Sequence, residues 1–528
     1  MKAKSSLLVL FLLMMFNSLA ESYIYFQNNT SLSFSITTEQ TGTHTMETDE
    51  WWGYTGTINP WQLNTNLLWS NRNVGIHNGD DFFLTTTLTS GGESVNLKMK
   101  LHGTFTGSDM WLSADGPGFS HVWFADQIFH EETFIMNGKV FTLKYTSYFT
   151  GGYDDILYVL EEQDPFPVLS SDLTDENVLN VLSYNIYMLT PPIALTDQSI
   201  RAGYIDEHVH GYDVLIINEA FDNSSRDDLT NNLSAEYPYY TDVVDESGSL
   251  EDGGVILYSR WPIEHSEDIV YDDCDGDDCL AAKGAMYIRI DKLGTKYHVF
   301  GTHTQAWPDS DNVITRQAQM AQLKNFVDAK NISSTEAVIL GGDFNVEKVA
   351  NFMNEYDQMF TILDTHEPDY FGQLFTYDHN LSVYADAPYQ EYLDYVMYEN
   401  AHRVPDTNTN TVIVLRSIAD EMWDIFDLSD HMAVQGRFVF PAPTNSISES
   451  TLEHNLYVSP NPASSIITIN GLEEIDGLKT MKIVDAIGKV VKASVSQTVD
   501  IGNMETGLYY FQIEHAEGVE LIRFIVVK

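Results

Sequence analysis

Val338-Ile339-Leu340-Gly341-Gly342-Asp343-Phe344-Asn345 reads as an apolar strand that ends in an acid and an amide. Side chains alternate along a strand with period 2, so Asp343 and Asn345 are expected on the same side of a sheet. Further along, Ser429-Asp430-His431 sets an Asp beside a His ahead of a final strand. Oxygen ligands, an amide donor and a general base form a kit for metal-assisted attack on phosphorus. Gly-Asp is also ordinary turn chemistry, so these strings carry weight only in company.

The company is close by. From about Asn177, short apolar strands (Val178 to Ser183, Val214 to Asn218, Gly254 to Ser259, Met286 to Ile290, His298 to Thr302) alternate with helical stretches such as Thr315 to Lys330. That is a mixed, layered α/β body. Asn185 and Glu219 follow the first two strands, His303 follows Val299-Phe300-Gly301-Thr302, and Asp394 sits in Tyr392-Leu393-Asp394-Tyr395. Strand ends present reactive groups because the loops there are wet and the strands hold them rigid. Any one of these residues alone reads as a turn acid, a capping Asn or a solvated His. Together they read as a functional constellation.

At 528 residues the chain is too long for one core. Lys2 and Lys4, an apolar run from Leu7 to Phe16 and Ser18-Leu19-Ala20 predict an export signal over residues 1–20, with a membrane anchor as the alternative. Residues 21–168 predict an all-β sandwich, rich in β-branched and aromatic runs such as Tyr23-Ile24-Tyr25-Phe26. Trp51, Trp52, Trp61, Trp69, Trp111 and Trp123 fall here, as core residues or as an aromatic patch facing a membrane or ligand. A Pro/Ser-rich linker follows the α/β body over residues 441–452, and residues 453–528 predict a second, small β-sandwich.

Lys and Arg number 27 against 77 Asp and Glu, a formal charge of −50. Such a surface repels phosphate backbones unless cations intervene, so no stable nucleic-acid partner is expected. Cys274 and Cys279 lie in Asp-Asp-Cys-Asp-Gly-Asp-Asp-Cys. They suit a small disulfide loop in an oxidising compartment, with a pair of free thiols as the alternative.

The strings Ser183-Tyr184-Asn185-Ile186, Asn218-Glu219-Ala220-Phe221-Asp222-Asn223, Glu251-Asp252-Gly253-Gly254, Ser259-Arg260-Trp261-Pro262, Gly301-Thr302-His303-Thr304-Gln305, Gly341-Gly342-Asp343-Phe344-Asn345, Glu391-Tyr392-Leu393-Asp394 and Ser429-Asp430-His431 occur in that order over residues 177–440. That set resembles the exonuclease-endonuclease-phosphatase superfamily, with its deoxyribonuclease I-like αββα sandwich. Within it, the resemblance is to secreted bacterial neutral sphingomyelinases, the sphingomyelinase C and beta-toxin group. The C-terminal strings Val458-Ser459-Pro460-Asn461-Pro462 and Gly507-Leu508-Tyr509-Tyr510 resemble the sorting domain that Bacteroidetes use for type IX secretion.

The resemblance implies a secreted or surface-attached phosphodiesterase acting on sphingomyelin-containing membranes, exported by the type IX secretion machinery. Glu219 would be the principal Mg²⁺ ligand, with Asn185 and Asp430 shaping the metal shell, and Mn²⁺ or Co²⁺ able to substitute. His431 would take a proton from the attacking water, and Asp394 would orient its imidazole. Asp343 and Asn345 would hold the water and a phosphoryl oxygen in line. His303 would stabilise the transition state or help the leaving alkoxide. Asn223, Glu251 and Asp252 match a peripheral metal site, where Ca²⁺ is an alternative ion and a solvated acidic turn the alternative reading.

The chain departs from that pattern in its cysteines and in its membrane contact. Family members often pair the cysteine matching Cys274 with a distant one, but Ala306-Trp307-Pro308-Asp309-Ser310 has none. The secreted enzymes dock on membranes through an apolar hairpin shortly before Ser-Asp-His, and here Met422, Trp423, Ile425 and Phe426 are the nearest apolar residues. They are expected to be core residues of the last strand pair, which leaves docking to other surfaces, the aromatic N-terminal sandwich among them. Competing functions are an extracellular nuclease, a phosphodiesterase for another headgroup such as ceramide phosphoethanolamine, and a lipid-binding or adhesion protein with an inactive enzyme domain. A nuclease predicts basic residues tracking phosphate, and near Asn185 and Glu219 only Arg201 and Arg226 occur.

Overall fold

A computed structural model of the chain describes residues 21–528 except 73, 150–153, 164–169, 192, 247–248, 442–455, 473–476, 486–488, 494–495 and 516–518. The expected export signal (1–20) and nearly all of the linker (441–452) lie outside the described residues. The chain divides into a compact unit ending at Phe440 and a second from Pro441 to Lys528.

The N-terminal part of the first unit is all strand: β1 (Glu21–Asn29), β2 (Phe34–Gly42), β3 (Trp51–Gly53), β4 (Gly56–Ile58), β5 (Leu63–Asn71), β6 (Asp81–Ser90), β7 (Glu93–Gly103), β8 (Ser108–Asp115), β9 (His130–Met136), β10 (Lys139–Phe149) and β11 (Asp154–Glu162). A six-stranded sheet (β3-β5-β1-β11-β10-β9) and a five-stranded one (β4-β2-β6-β7-β8) enclose one core. The alternation in Asp81–Ser90, buried at every second residue, shows why: Phe82, Leu84 and Leu88 turn inward while Thr85 and Thr87 stay at the surface side. Ile24 and Phe26 of β1 join that core, but Tyr25, on the opposite face of the same strand, is also buried. A strand buried on both faces needs a second layer of protein over it.

That layer is the α/β body. Its strands are β12 (Val178–Asn185), β13 (Val214–Asn218), β14 (Tyr239–Tyr240), β15 (Ile256–Ser259), β16 (Ile263–Val270), β17 (Gly284–Lys292), β18 (Thr295–His303), β19 (Ala337–Asp343), β20 (Asp369–Gly372), β21 (Tyr377–Asp378), β22 (Gln390–Glu391), β23 (Asp394–Tyr398), β24 (Thr407–Ile413) and β25 (Ala433–Val439). Its helices are α1 (Gln198–Ala202), α2 (Asn223–Leu233), α3 (Ser310–Ala329) and α4 (Glu355–Leu363). A seven-stranded sheet (β14-β15-β13-β12-β25-β24-β20) packs on a five-stranded one (β16-β17-β18-β19-β23). Val181, Val214 and Ile216 of the first sheet share a core with Val299 and Ile339 of the second. Leu182, Leu215 and Ile217 point the other way, onto Ala202 of α1 and Leu229 and Leu233 of α2. Phe300 meets Phe326 of α3 edge-on at 5.6 Å. The body is therefore layered helix, sheet, sheet, helix.

Glycine sets how closely these layers approach. A Cβ on Gly341 would stand 2.7 Å from Ile216 of the facing sheet, and one on Gly342, at φ +140°, would stand 1.9 Å from the Thr302 carbonyl. Strand ends run longer than the apolar runs alone indicate, with β19 including Asp343. Helix α3 begins at Ser310 instead of Thr315, because Asp309 caps it by accepting from the Asp311 and Asn312 amides.

The second unit carries a three-stranded and a four-stranded sheet around one core, in which Ile467, Ile469, Phe511 and Phe524 are fully buried.

Candidate active site

Both sheets of the α/β body end at one cavity. Strand register does much of the assembly: β12 and β13 pair Asn185 with Asn218, β18 and β19 pair His303 with Asp343, and β19 and β23 pair Asp343 with Asp394. Side chains from separate strands thus arrive side by side because their strands are hydrogen-bonded neighbours. Glu219, Tyr187 and Asn345 each take a left-handed backbone (φ 56°, 49° and 49°), a conformation that Asn tolerates but that is costly for Glu and Tyr. Asn345 reaches the cavity by this turn and not by strand alternation. Its amide N–H donates to Asp343 Oδ1 at 2.9 Å.

Asn185 Nδ2 donates to Glu219 Oε1 and to Asp343 Oδ2, both at 3.0 Å. Asp343 Oδ2 lies 3.7 Å from His303 Nε2 and 3.8 Å from His431 Nε2. His431 Nδ1 donates to Asp394 Oδ2 at 2.8 Å. Ser429 Oγ donates to the Asn185 carbonyl at 2.7 Å, with Asp430 Oδ1 3.1 Å away, tying the last loop to the end of β12. The structure so brings together Asn185, Glu219, His303, Asp343, Asn345, Asp394, Asp430 and His431.

Burial first, and crowding of acids second, set the electrostatics. Burial, with Asp430 and Asp343 nearby, pushes the Glu219 carboxyl up to about 7. Burial likewise raises Asp430, and it raises Asp394 to about 6 against the pull of His431. Burial alone would depress His431, but Asp394, Asp343 and Asp430 outweigh it and raise the imidazole well above its usual range while no cation offsets their charge. His303 moves the other way: burial, Lys283 and His431 push it well below. The surrounding acids thus pull one histidine up, while burial and Lys283 push the other down.

Glu219, His303 and Asp343 converge closely enough to share one ion, as do Asp343, Asp394 and His431. Carboxyls gathered around a bridging amide fit a hard divalent cation, which would offset their mutual repulsion. Asn185 here turns its Nδ2 to the acids while its Oδ1 accepts from the Tyr187 amide at 3.1 Å. Ligation through oxygen requires that amide turned over, an orientation set by its surroundings.

The peripheral residues are arranged differently. Arg226 reaches the Asn223 side-chain oxygen, and its Nη1 pairs with Asp252 Oδ2 at 2.8 Å. Glu251 accepts instead from Thr190 Oγ1 at 2.7 Å and lines the main cavity. A guanidinium thus already supplies the positive charge at Asn223 and Asp252. Cys274 and Cys279 are joined as a disulfide.

Lys283 escaped the sequence reading. It is buried, with Nζ 3.2 Å from His303 Nε2, 2.8 Å from Asp278 Oδ2 and donating to the Thr304 carbonyl at 2.8 Å. Nothing in Ala281-Ala282-Lys283-Gly284 announces it. Asn218 was legible as a neighbour of Glu219, and it positions Asp343 by accepting from its amide at 3.1 Å. Thr376 Oγ1 accepts from the Leu393 and Asp394 amides, and the Tyr377 ring stands edge-on to His431 at 5.2 Å.

The cavity has a volume of about 680 Å³. Beyond the polar floor, Leu189, Ile193, Phe221, Leu250, Leu280, Trp307 and Phe352 line it. Leu250 is 70% exposed and Trp307 61%, so its mouth is rimmed by apolar groups in contact with solvent.

Residues 182–431 match the Endonuclease/Exonuclease/phosphatase family, and residues 455–528 match the Secretion system C-terminal sorting domain. That tail marks the chain for export by type IX secretion. The chain is 33% identical over 315 residues to Sphingomyelinase C 2 of Leptospira interrogans, covering 54% of this chain and 50% of that protein. It thus spans about half the length of that curated relative. To Sphingomyelinase C of Listeria ivanovii it is 33% identical over 333 residues, covering 57% of this chain and 95% of that one. A beta toxin mutant from Staphylococcus aureus, solved with bound magnesium ions, is 31% identical over 49% of this chain and 98% of its own, with a TM-score of 0.45. By its sequence match across nearly the whole of the Listeria protein, the chain belongs to the sphingomyelinase C group of the endonuclease/exonuclease/phosphatase family.

Proposed function

We propose that the chain is an exported, metal-dependent phosphodiesterase that hydrolyses sphingomyelin to ceramide and phosphocholine. The observation that carries this reading is the union, in one cavity, of the buried acid–histidine–amide floor with the exposed apolar rim of Leu250, Leu280 and Trp307. A phosphodiester on an apolar tail matches both halves. Tyr187 and Tyr377, with Asp386 beside them, offer aromatic faces and negative charge to a quaternary ammonium headgroup.

Glu219, Asn185 and Asp430 would hold a divalent cation, for which Mg²⁺ is the proposed ion; when bound, it neutralises the phosphodiester and stabilises charge growing on its oxygens. Once a divalent cation offsets the acids that raise it, His431 would be neutral at Nε2 and accept the proton of the attacking water there, while Asp394 holds the opposite ring nitrogen. Asp343 and Asn345 orient that water and a phosphoryl oxygen in line. The Lys283 ammonium, beside neutral His303, supplies fixed positive charge toward the leaving alkoxide.

A nuclease would need basic side chains free to track a phosphate backbone. Arg201 is wholly buried, donating to the carbonyls of Ile186, Tyr187, Thr196 and Leu428. Arg226 is held by Asp252. An inactive domain would not be expected to keep the His431–Asp394 pair and the Glu219–Asn185–Asp343 bridge together.

The test is release of phosphocholine from sphingomyelin vesicles with Mg²⁺ and with chelator, beside a His431→Ala control and a DNA digestion. Metal-dependent release lost in the control supports the proposal. Silence on sphingomyelin with DNA cleaved would transfer the same site to nucleic acid.

A further inference from the structure

The loop joining β24 to β25 delivers Asp430 and His431 to the cavity, and its outer half is embedded in the N-terminal sandwich. Ile418, Trp423 and Phe426 pack on Tyr25, Leu157 and Val159, the outward faces of β1 and β11. Trp423 stacks on Tyr148 at 4.5 Å and meets Tyr25 edge-on at 5.6 Å. Phe426 is fully buried at φ 58°. A bulky side chain in the left-handed region persists only where its surroundings hold it there. Half of the apolar loop tip is thus core, as expected, but of a different interface: Met422 and Ile425 join the outer core of the α/β body, while Trp423 and Phe426 join the sandwich.

The neck of the loop is pinned by Arg416, whose side chain is 1% exposed. Its Nε donates to Asp427 Oδ1 at 2.7 Å, Nη1 to the Trp61 carbonyl of the sandwich at 2.6 Å, and Nη2 to the Leu381 carbonyl at 2.5 Å. Next to Leu381, Ser382 Oγ donates to the Ser429 carbonyl at 2.8 Å. A second strand of contacts runs in parallel: Gln373 Nε2 donates to the Pro60 carbonyl, and Thr376, close after it, accepts from the Met432 and Asp394 amides. Both routes start at the Pro60-Trp61 corner; the first ends on Ser429, whose Oγ accepts from the His431 amide at 3.2 Å, and the second on Asp394 and on Met432, the residue after His431.

We propose that the N-terminal β-sandwich is a positioning element for the catalytic centre: by seating the 414–432 loop through Trp61–Arg416 and through the Tyr25/Tyr148 face, it places His431 against Asp394. This rests on the phosphodiesterase reading above. It follows that the 418–426 tip is committed to the sandwich and is not the bilayer contact.

The experiment uses the full chain and a soluble chromogenic phosphodiester, 4-nitrophenylphosphocholine, with Mg²⁺. Tyr25→Ala/Tyr148→Ala alters only the sandwich side of the contact, and Arg416→Lys keeps the charge but loses the fork. The expected result for each is kcat reduced by about tenfold or more at a KM within about twofold, since small misplacements of reacting groups are costly. Tyr25→Phe/Tyr148→Phe, which keeps the rings, is expected to restore wild-type kcat. Hydrogen exchange of the same proteins should show faster exchange across both 418–426 and 428–432. Wild-type kcat in Arg416→Lys, or exchange that quickens at 418–426 and leaves 428–432 protected, overturns the proposal. Should the double alanine variant fail to fold, Arg416→Lys decides alone. Absence of turnover in the wild-type chain would instead strike the phosphodiesterase reading, and the exchange pattern would still report on positioning.

Discussion

His431 Nδ1 donates to Asp394 Oδ2 at 2.8 Å, although the two side chains reach the cavity from different sheets. Asp394 is fully buried, so its charge acts on the imidazole with little screening. Asp394→Asn keeps the shape and removes that charge. Phosphodiester turnover is expected to fall by about a hundredfold or more, with KM little changed. Turnover near wild type would separate Asp394 from the reaction.

Lys283 stands 3.2 Å from His303 Nε2, and its charge helps hold that ring neutral. In Lys283→Met the depression eases, so the His303 titration, followed by NMR in metal-free protein, moves upward. Loss of the fixed charge is expected to lower kcat by about tenfold to a hundredfold. An unmoved titration would show that burial alone sets it.

Crowded acids make metal binding readable without any substrate. Mg²⁺ at about a hundredfold excess over its Kd adds about 2.7 kcal/mol of stability to a state that alone binds it. Thermal unfolding should therefore shift upward with Mg²⁺ and return with chelator, and Glu219→Gln should abolish the shift. A shift that survives Glu219→Gln would place the ion elsewhere.

The apolar rim predicts a split between substrates. Trp307→Asp and Leu250→Asp lie at the mouth, away from the reacting groups. Activity on sphingomyelin vesicles is expected to drop by about tenfold, the order of a buried aromatic or aliphatic contact, while the soluble phosphodiester is turned over normally. Equal loss on both would mean the rim supports the fold and not the lipid.

Gly342 offers a test of the sheet itself. With φ +140° and the Thr302 carbonyl 1.9 Å from where a Cβ would stand, Gly342→Ala forces β18 and β19 apart. Denaturant unfolding should show a loss of about 2 kcal/mol or more. A smaller loss would mean that the pair relaxes freely.

The strings around Asn185, Glu219, His303, Asp343, Asp394 and His431 were legible because each is local: a short apolar run, buried on both faces, ending in a polar residue. Register then completed what the strings began, pairing His303 with Asp343 and Asp343 with Asp394. Asn345 was assigned to the right cavity for the wrong geometric reason, since β19 stops at Asp343 and a left-handed turn follows. Lys283 and Thr376 were not legible. Their partners, His303 and Asp394, lie in other segments of the chain, and no local pattern marks a lysine or threonine as buried.

By itself the sequence determined the layered α/β body and the polar floor of the cavity, because periodicity and strand-end chemistry are short-range properties, and its ordered motifs carried the resemblance to the family and to the export tail. Only the tertiary structure decided that Arg226 occupies the peripheral acidic site and that Tyr25 and Tyr148 cover Trp423. It also decided that Arg416 joins the loop bearing His431 to Trp61 across 355 residues of sequence. Those contacts depend on which faces meet when separately patterned segments pack, and burial of a second face on β1 becomes intelligible only when its covering layer is present.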